Sequence, residues 1–263
     1  MVDWNASYGA GLDGRIKFAF DDSALVVTSA KKSHIVIGDL HIGIERKLGD
    51  RGVHIHNASD LMLKKLVALC EQFKTKSIIM LGDVKDAILY PDAVEAASIK
   101  AFFDGLRGYD VTVIRGNHDA HLEEIAGVKV LDELILGKFS MLHGNKWPSQ
   151  EAMMADYIIT AHNHVAIRIT DMNGGAYTEK AWLMANINAD NARLHYEKFN
   201  PGIKLIVAPA FNDLITGKPI NEVSGTLLNP LLNNRVFDYE QADIYTIKGD
   251  SLGKLSRFMQ RHE

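Results

Sequence analysis

The sequence predicts an α/β protein with two stacked β-sheets, on three observations. Between residues 34 and 114, three short apolar runs alternate with two segments of helical period. Strand–helix–strand order of that kind builds a parallel sheet through right-handed crossovers, with helices on its faces. Beyond residue 129, short strand candidates follow one another with few helical segments between them, the mark of a mixed or antiparallel second sheet. Finally, the apolar runs end abruptly in Gly, Asp, Asn or His, as buried strands do when they deliver polar groups to the carboxyl edge of a sheet.

Taken in order, residues 1–14 read as a loose polar lead-in. Arg15–Phe20 and Ala24–Thr28 form a hairpin around Asp21-Asp22-Ser23, and His34–Gly38 is a buried strand ending at Asp39. Residues 42–56 mix charge, Gly and His without a clear period and read as a loop containing a helical turn. Asn57 or Ser59 caps a helix whose apolar positions are Leu61, Met62, Leu66, Leu69, Cys70 and Phe73. Ser77–Leu81 is the next buried strand. Asp92–Leu106 is a second helix, with Val94, Ala97, Phe102 and Leu106 as its expected inner face, and Val111–Ile114 is a third strand. The strand candidates of the second half are 129–131, 134–136, 139–142, 157–160, 165–169, 182–186 and 204–208. Residues 242–258 close the chain as a hairpin around Gly249-Asp250.

Composition bounds the classes. The chain has 263 residues, 47% hydrophobic and 24% charged, which supports a sizeable core and argues against disorder. A net charge of -4 gives no overall attraction to nucleic acid or an anionic membrane. No window approaches the ~18 apolar residues needed to span a bilayer, and the polar N-terminus with Asp3, Asn5 and Asp13 is not a signal peptide. The single cysteine, Cys70, excludes a disulfide framework and fits a reducing cytoplasm.

The chemistry sits at the strand ends. Gly38-Asp39-Leu40-His41, Gly82-Asp83-Val84-Lys85-Asp86, Gly116-Asn117-His118-Asp119, His143-Gly144-Asn145 and Ala161-His162-Asn163-His164 each follow an apolar run. Carboxylate, imidazole and amide-oxygen ligands suit cations of intermediate hardness, and the groups available exceed what one ion needs. A pair of ions sharing one carboxylate would use them all.

This ordered set, DxH, GDxxD, GNHD, H and AHNH over residues 35 to about 165, resembles the calcineurin-like metallophosphoesterase superfamily. Within it the chain most resembles the small, mainly archaeal SbcD-related (ICC-like) phosphoesterases. The resemblance implies a four-layer αββα sandwich, two stacked mixed β-sheets flanked by helices, with a dinuclear metal site at strand ends. It implies that Asp39, His41 and His164 bind a first metal, that Asn117, His143 and His162 bind a second, and that Asp83 bridges both. Two divalent ions are then the cofactors, Mn²⁺ first and Fe, Zn²⁺ or Ni²⁺ as alternatives, and a hydroxide between them attacks the phosphorus. The resemblance makes His118 the catalytic acid and Asp86 the carboxylate that pairs with it. Ala161 departs from the usual glycine, and Asn145 stands where close relatives carry a second histidine.

Residues 1–263 are expected to be one metallophosphoesterase domain, with the metal motifs over 35–165 and the second sheet and closing hairpin over 166–263. The expected activity is hydrolysis of phosphomonoesters or phosphodiesters, with a small molecule or nucleotide as substrate. The alternatives are a DNA nuclease of SbcD type and a non-catalytic metal-binding module. The nuclease is not favoured, since the chain lacks a long carboxy-terminal extension and a basic balance. No membrane partner is expected, and oligomeric state is left open. Outside the motifs, His34 reads as structural, and His54 and His56 as loop residues. Trp147 walls either a substrate pocket or the space between the sheets.

Overall fold

The computed structural model describes residues 15–259 except 20, 50, 51, 53, 54, 56, 171–173 and 223–225. The expectations for residues 1–14, His54 and His56 therefore lie outside the described residues.

Apolar alternation builds the first sheet. It contains β1 (Ile16–Ala19), β2 (Ala24–Ser29), β3 (Lys32–Ile37), β4 (Ser77–Met80), β5 (Asp110–Ile114) and β6 (Val130–Leu131), hydrogen-bonded in that order. The β1–β2 and β2–β3 pairs are antiparallel, and β3 to β6 run parallel. The crossovers are α1 (Ile44–Gly49), α2 (Ala58–Gln72), α3 (Ala93–Gly105) and α4 (Leu122–Ala126).

Among the described residues the second sheet has nine strands: β7 (Leu134–Leu136), β8 (Phe139–Met141), β9 (Tyr157–Thr160), β10 (Val165–Thr170), β11 (Ala176–Asn186), β12 (Lys204–Val207), β13 (Lys218–Pro219), β14 (Asp243–Thr246) and β15 (Ser251–Lys254). Its core path runs β10-β11-β12-β9-β8-β7, with β12, β9 and β8 mutually parallel. This sheet begins at Leu134, earlier than residue 166, and Val130–Leu131 joins the first sheet instead. The short helices α5 (Ala189–Ala192) and α6 (Pro230–Asn233) lie in the second half.

The period of two sorts side chains into three apolar layers. Ile35, Ile37, Ile78, Met80 and Val113 face the helices, among Met62, Leu66, Leu69, Ile99 and Phe102. Val36, Ile79, Leu81 and Ile114 face the other way, against Phe139, Met141, Ile159, Trp182 and Ile206 of the second sheet. On the far side of that sheet, Ile158, Leu183, Leu205 and Val207 pack with Ala192, Leu231, Leu232 and Phe237. Three layers of apolar contact make four layers of structure, the expected αββα sandwich.

Two helix details differ from the sequence reading. Asn57 occupies the cap position of α2 in a left-handed conformation, but its side chain makes no capping bond. Asp92 does cap α3, accepting from the amides of Val94 and Glu95. The inner face of α3 is Glu95, Ile99, Phe102 and Phe103, while Val94 is 62% exposed. The face is rotated because Glu95 turns inward to accept hydrogen bonds from the amides of Asp86 and Ala87, at 3.0 and 2.8 Å.

The loops after β4 and β5 meet at close range. A Cβ on Gly116 would lie 2.2 Å from the amide nitrogen of Asp83, so this approach requires glycine. The fully buried carboxylate of Asp119 closes the contact, accepting from the amides of Gly116 and Val84 at 2.8 Å each. Asp119→Ala would leave both donors buried and unpaired, and is expected to lower unfolding stability by about 2–4 kcal/mol. Urea denaturation measures this, and a loss below about 0.5 kcal/mol, the usual effect of a neutral surface change, would show that the clamp is dispensable.

Candidate metal centre

Parallel strands send their carboxyl ends to one edge, and the two stacked sheets bring two such edges together. From the first sheet come Asp39 after β3, Asp83 after β4, and Asn117 and His118 after β5. From the second come His143 after β8 and His162 with His164 after β9. Cross-sheet hydrogen bonds pin the edges. His143 Nδ1 donates to the carbonyl of Leu81 at 2.6 Å, the Phe211 amide donates to Gly38 at 2.9 Å, and the His162 amide reaches both Asp39 carboxylate oxygens at 3.1 and 3.2 Å. Because a carbonyl only accepts, the Leu81 contact puts the His143 proton on Nδ1 and aims Nε2 into the centre.

The expected ligands fall into two groups that share one carboxylate. Asp39, His41, Asp83 and His164 form one cluster, and Asp83, His143 and His162 form another. Asp83 Oδ2 lies 3.6 Å from His41 Nε2 and 3.3 Å from His143 Nε2. Asn117 Oδ1 lies 3.2 Å from His143 Nε2, on the second cluster. Within each cluster, ring nitrogens face each other: His41 Nε2 and His164 Nε2 at 3.2 Å, His143 Nε2 and His162 Nδ1 at 3.0 Å. Imidazole nitrogens, carboxylates and an amide oxygen gathered this closely form a donor set that suits divalent ions of intermediate hardness.

The electrostatics agree. Burial alone would raise the carboxyls of Asp39 and Asp83, but hydrogen bonds and charge from His164 and His143 respectively hold both below the usual range. Burial would lower His143, and the Asp83 carboxylate beside it reverses this, pushing it up to about 9. For His162, burial and the charge on His143 act together and bring it down to about 4.

The backbone at these positions is unusual. Asp39, His41, Asp83, His162 and His164 all have positive φ, between 43° and 68°. Left-handed non-glycine residues are uncommon, and such strain concentrates at functional sites. Ala161, in place of glycine, is accommodated because Gly38 lies opposite: a Cβ on Gly38 would meet the Ala161 methyl at 2.6 Å.

One expected pairing is corrected. His118 Nδ1 lies 2.6 Å from the main-chain carbonyl of Asp86, not from its carboxylate. The Asp86 carboxylate is already engaged, with Lys47 Nζ at 2.7 Å and His41 Nδ1 at 3.4 Å. The carbonyl still fixes the tautomer, since it can only receive the Nδ1 proton. The His118 amide also donates to Asp83 Oδ1 at 2.9 Å.

Two residues not singled out in the sequence hold the Asp86 turn. Lys85, fully buried, donates from Nζ to the carbonyls of Ala87 and Leu89, the latter at 2.6 Å, and Glu95 holds the amides of Asp86 and Ala87 as described. Lys85 lies inside a recognised motif, but nothing in its neighbours marks it as buried, and Glu95 looks like an ordinary first-turn helix residue. Arg115 binds Glu123 and Asp132 instead of the centre. His34 is structural, its Nδ1 2.9 Å from Ser77 Oγ. Trp147 is 42% exposed and lies outside the space between the sheets.

Residues 34–197 match the calcineurin-like phosphoesterase family. The fold is similar to that of the nuclease MPE from Pseudomonas putida, with a TM-score of 0.53 at 15% identity, covering 86% of this chain and 97% of that one. Yfce, a phosphoesterase from E. coli, matches with a TM-score of 0.39 at 11% identity, over 84% of this chain and 97% of that one. No curated protein sequence matches. With the family match spanning most of the described chain, and with clustered Asp and His side chains at its strand ends, the chain belongs to the calcineurin-like phosphoesterase family and is a metal-dependent hydrolase of phosphoester bonds.

Proposed function

We propose that this chain hydrolyses phosphodiesters or phosphomonoesters of small molecules or nucleotides at a centre for two divalent ions, and that residues 1–263 act as one domain in the cytoplasm. The observation that carries the reading is the position of Asp83 Oδ2 between His41 and His143, one from each cluster. Asp39, His41, Asp83 and His164 would hold one ion, and Asp83, Asn117, His143 and His162 the other. Bound there, the ions, manganese first and iron, zinc or nickel as alternatives, would supply charge for the phosphoryl oxygens and lower the pKa of a water at the site.

The chain's own side chains do the rest. His118 would act as the imidazolium, keeping its Nδ1 proton on the Asp86 carbonyl and giving its Nε2 proton to the leaving oxygen. The Asp86 carboxylate orients His41 from behind and is itself neutralised by Lys47. Asp119 and the Lys85–Glu95 pair keep the two loops that carry Asp83 and His118 in register. Cys70 is buried and burial pushes its thiol up to about 11, in keeping with a structural role in a reducing compartment.

The fold shared with the Pseudomonas putida nuclease sustains nucleic-acid cleavage as the second reading. Incubation of single- and double-stranded DNA with the Mn²⁺-loaded protein across a salt series separates the two. Turnover of a chromogenic phosphodiester without DNA cleavage would remove the nuclease.

Asp83→Ala is expected to abolish hydrolysis of bis(4-nitrophenyl) phosphate and to deplete bound metal, read by elemental analysis; retention of both would end the dinuclear reading. His118→Ala should keep its metal and slow hydrolysis by roughly a hundredfold, most severely with a poor alkyl leaving group. Equal rates for variant and parent on that substrate would place the acid elsewhere. Metal affinity should rise with pH up to about 9, because a cation must displace the proton that His143 holds below that value. Calorimetric titrations from pH 6 to 10 (approximately the span of this change) test it, and a flat profile would contradict the assignment of His143.

A further inference from the structure

Beside His143 lies a cavity of about 240 Å³ lined by Asp132, Glu133, His143, Asn145, Lys146 and Trp147 among others. We propose that this cavity is a nucleobase subsite, with Trp147 as its stacking surface, so that the esters cleaved at the neighbouring centre are those of nucleotides. The proposal rests on the phosphoester reading and deepens it.

Three features carry it. The first is the indole itself. Trp147 is 42% exposed, yet it is held from behind by the His195 ring, 4.4 Å away at 31°, and by Tyr196 at 6.1 Å. Tyr196 is buried and donates its hydroxyl proton to the Pro148 carbonyl at 3.0 Å, which fixes the segment that carries the indole. A large aromatic face kept exposed and rigid offers area without the entropy of ordering a side chain.

The second feature is charge. The carboxylates of Asp132 and Glu133 border the same cavity. Asp132 is paired with Lys146 at 3.4 Å and Arg115 at 3.6 Å, and Glu133 accepts from the Ser149 amide and hydroxyl at 2.9 and 2.6 Å. Lys146 lines the cavity as well, so its charges are balanced within the wall, and such a lining suits a neutral occupant whose N–H groups can donate to the Asn145 side chain or to the remaining carboxylate lone pairs. A nucleobase is flat, neutral and edged with such donors. The third feature is position. His143 belongs both to the cavity wall and to the Asp83 cluster, so a base stacked on Trp147 is attached to a phosphate within reach of the centre. The volume suits one ring system and not a drug-sized ligand.

The test compares two diesters with the same leaving group: thymidine 5′-(4-nitrophenyl phosphate) and methyl 4-nitrophenyl phosphate. Trp147→Ala is expected to raise KM for the thymidine ester about tenfold more than KM for the methyl ester, the size expected for one base stack, and Trp147→Phe should recover most of that difference. An equal effect on both esters overturns the proposal. Binding is read independently of turnover by tryptophan fluorescence with thymidine monophosphate as probe. Quenching in the parent and its loss in Trp147→Phe support the subsite; quenching that survives in the variant, or equal quenching by phenyl phosphate, overturns it. Failure of the parent protein to hydrolyse either ester would sink the phosphoester reading, and the fluorescence result would still decide the subsite.

Discussion

The loops after β4 and β5 touch backbone to backbone, and everything at the centre depends on that contact. It exists because Gly82 and Gly116 carry no side chains where the strands' carboxyl ends converge. A Cβ on Gly82 would lie 2.6 Å from the Gly116 amide nitrogen. The Asp119 carboxylate then satisfies the amides that the approach would leave buried. Remove the contact and Asp83 no longer stands beside Asn117 and His118. A motif that reads as four consecutive residues, Gly116 to Asp119, is therefore four different jobs: clearance, an amide oxygen facing one cluster, an imidazole outside both, and a clamp.

The layers were legible from the sequence because burial on both faces of β4 and of the carboxyl halves of β3 and β5 leaves apolar runs that stop at polar residues. That the seven expected ligand side chains gather at one edge was legible for a related reason, since each follows a strand end and stands in a recognisable block. What was not legible depended on tertiary packing. The inner face of α3 could not be read from hydrophobicity, because Glu95 is buried for the sake of two loop amides and Val94 is left outside. The Asp86–His118 pairing failed on chemistry of another kind: any main-chain carbonyl can replace a carboxylate as partner for an imidazole N–H, and a sequence does not distinguish them.

The left-handed conformations at Asp39, His41, Asp83, His162 and His164 belong to the same economy of space. Each turns the chain sharply as it leaves a strand, so that alternate side chains point into one pocket. Such conformations cost about 1–3 kcal/mol apiece and persist where the surroundings over-determine them. Here the Asp39 amide donates to Gly82, the His41 amide to Asp83, and the Ala161 amide to His143. The strain is held by main-chain bonds between neighbouring strand ends within each sheet.

The bonds that cross between the sheets set the order in which the molecule can be completed. Asp39 and His162 lie 123 positions apart, and Asn212, which donates to the carbonyl of Leu40 at 2.7 Å, is 172 positions from it. Contacts this remote carry a large loop-closure entropy and form late unless shorter-range structure has brought their strands together first. The first sheet can assemble from local crossovers, but the pocket at its edge stays open until β9 and the segment after β12 have docked. Competence at this site is thus a late event in folding, and during synthesis it cannot precede emergence of the second sheet.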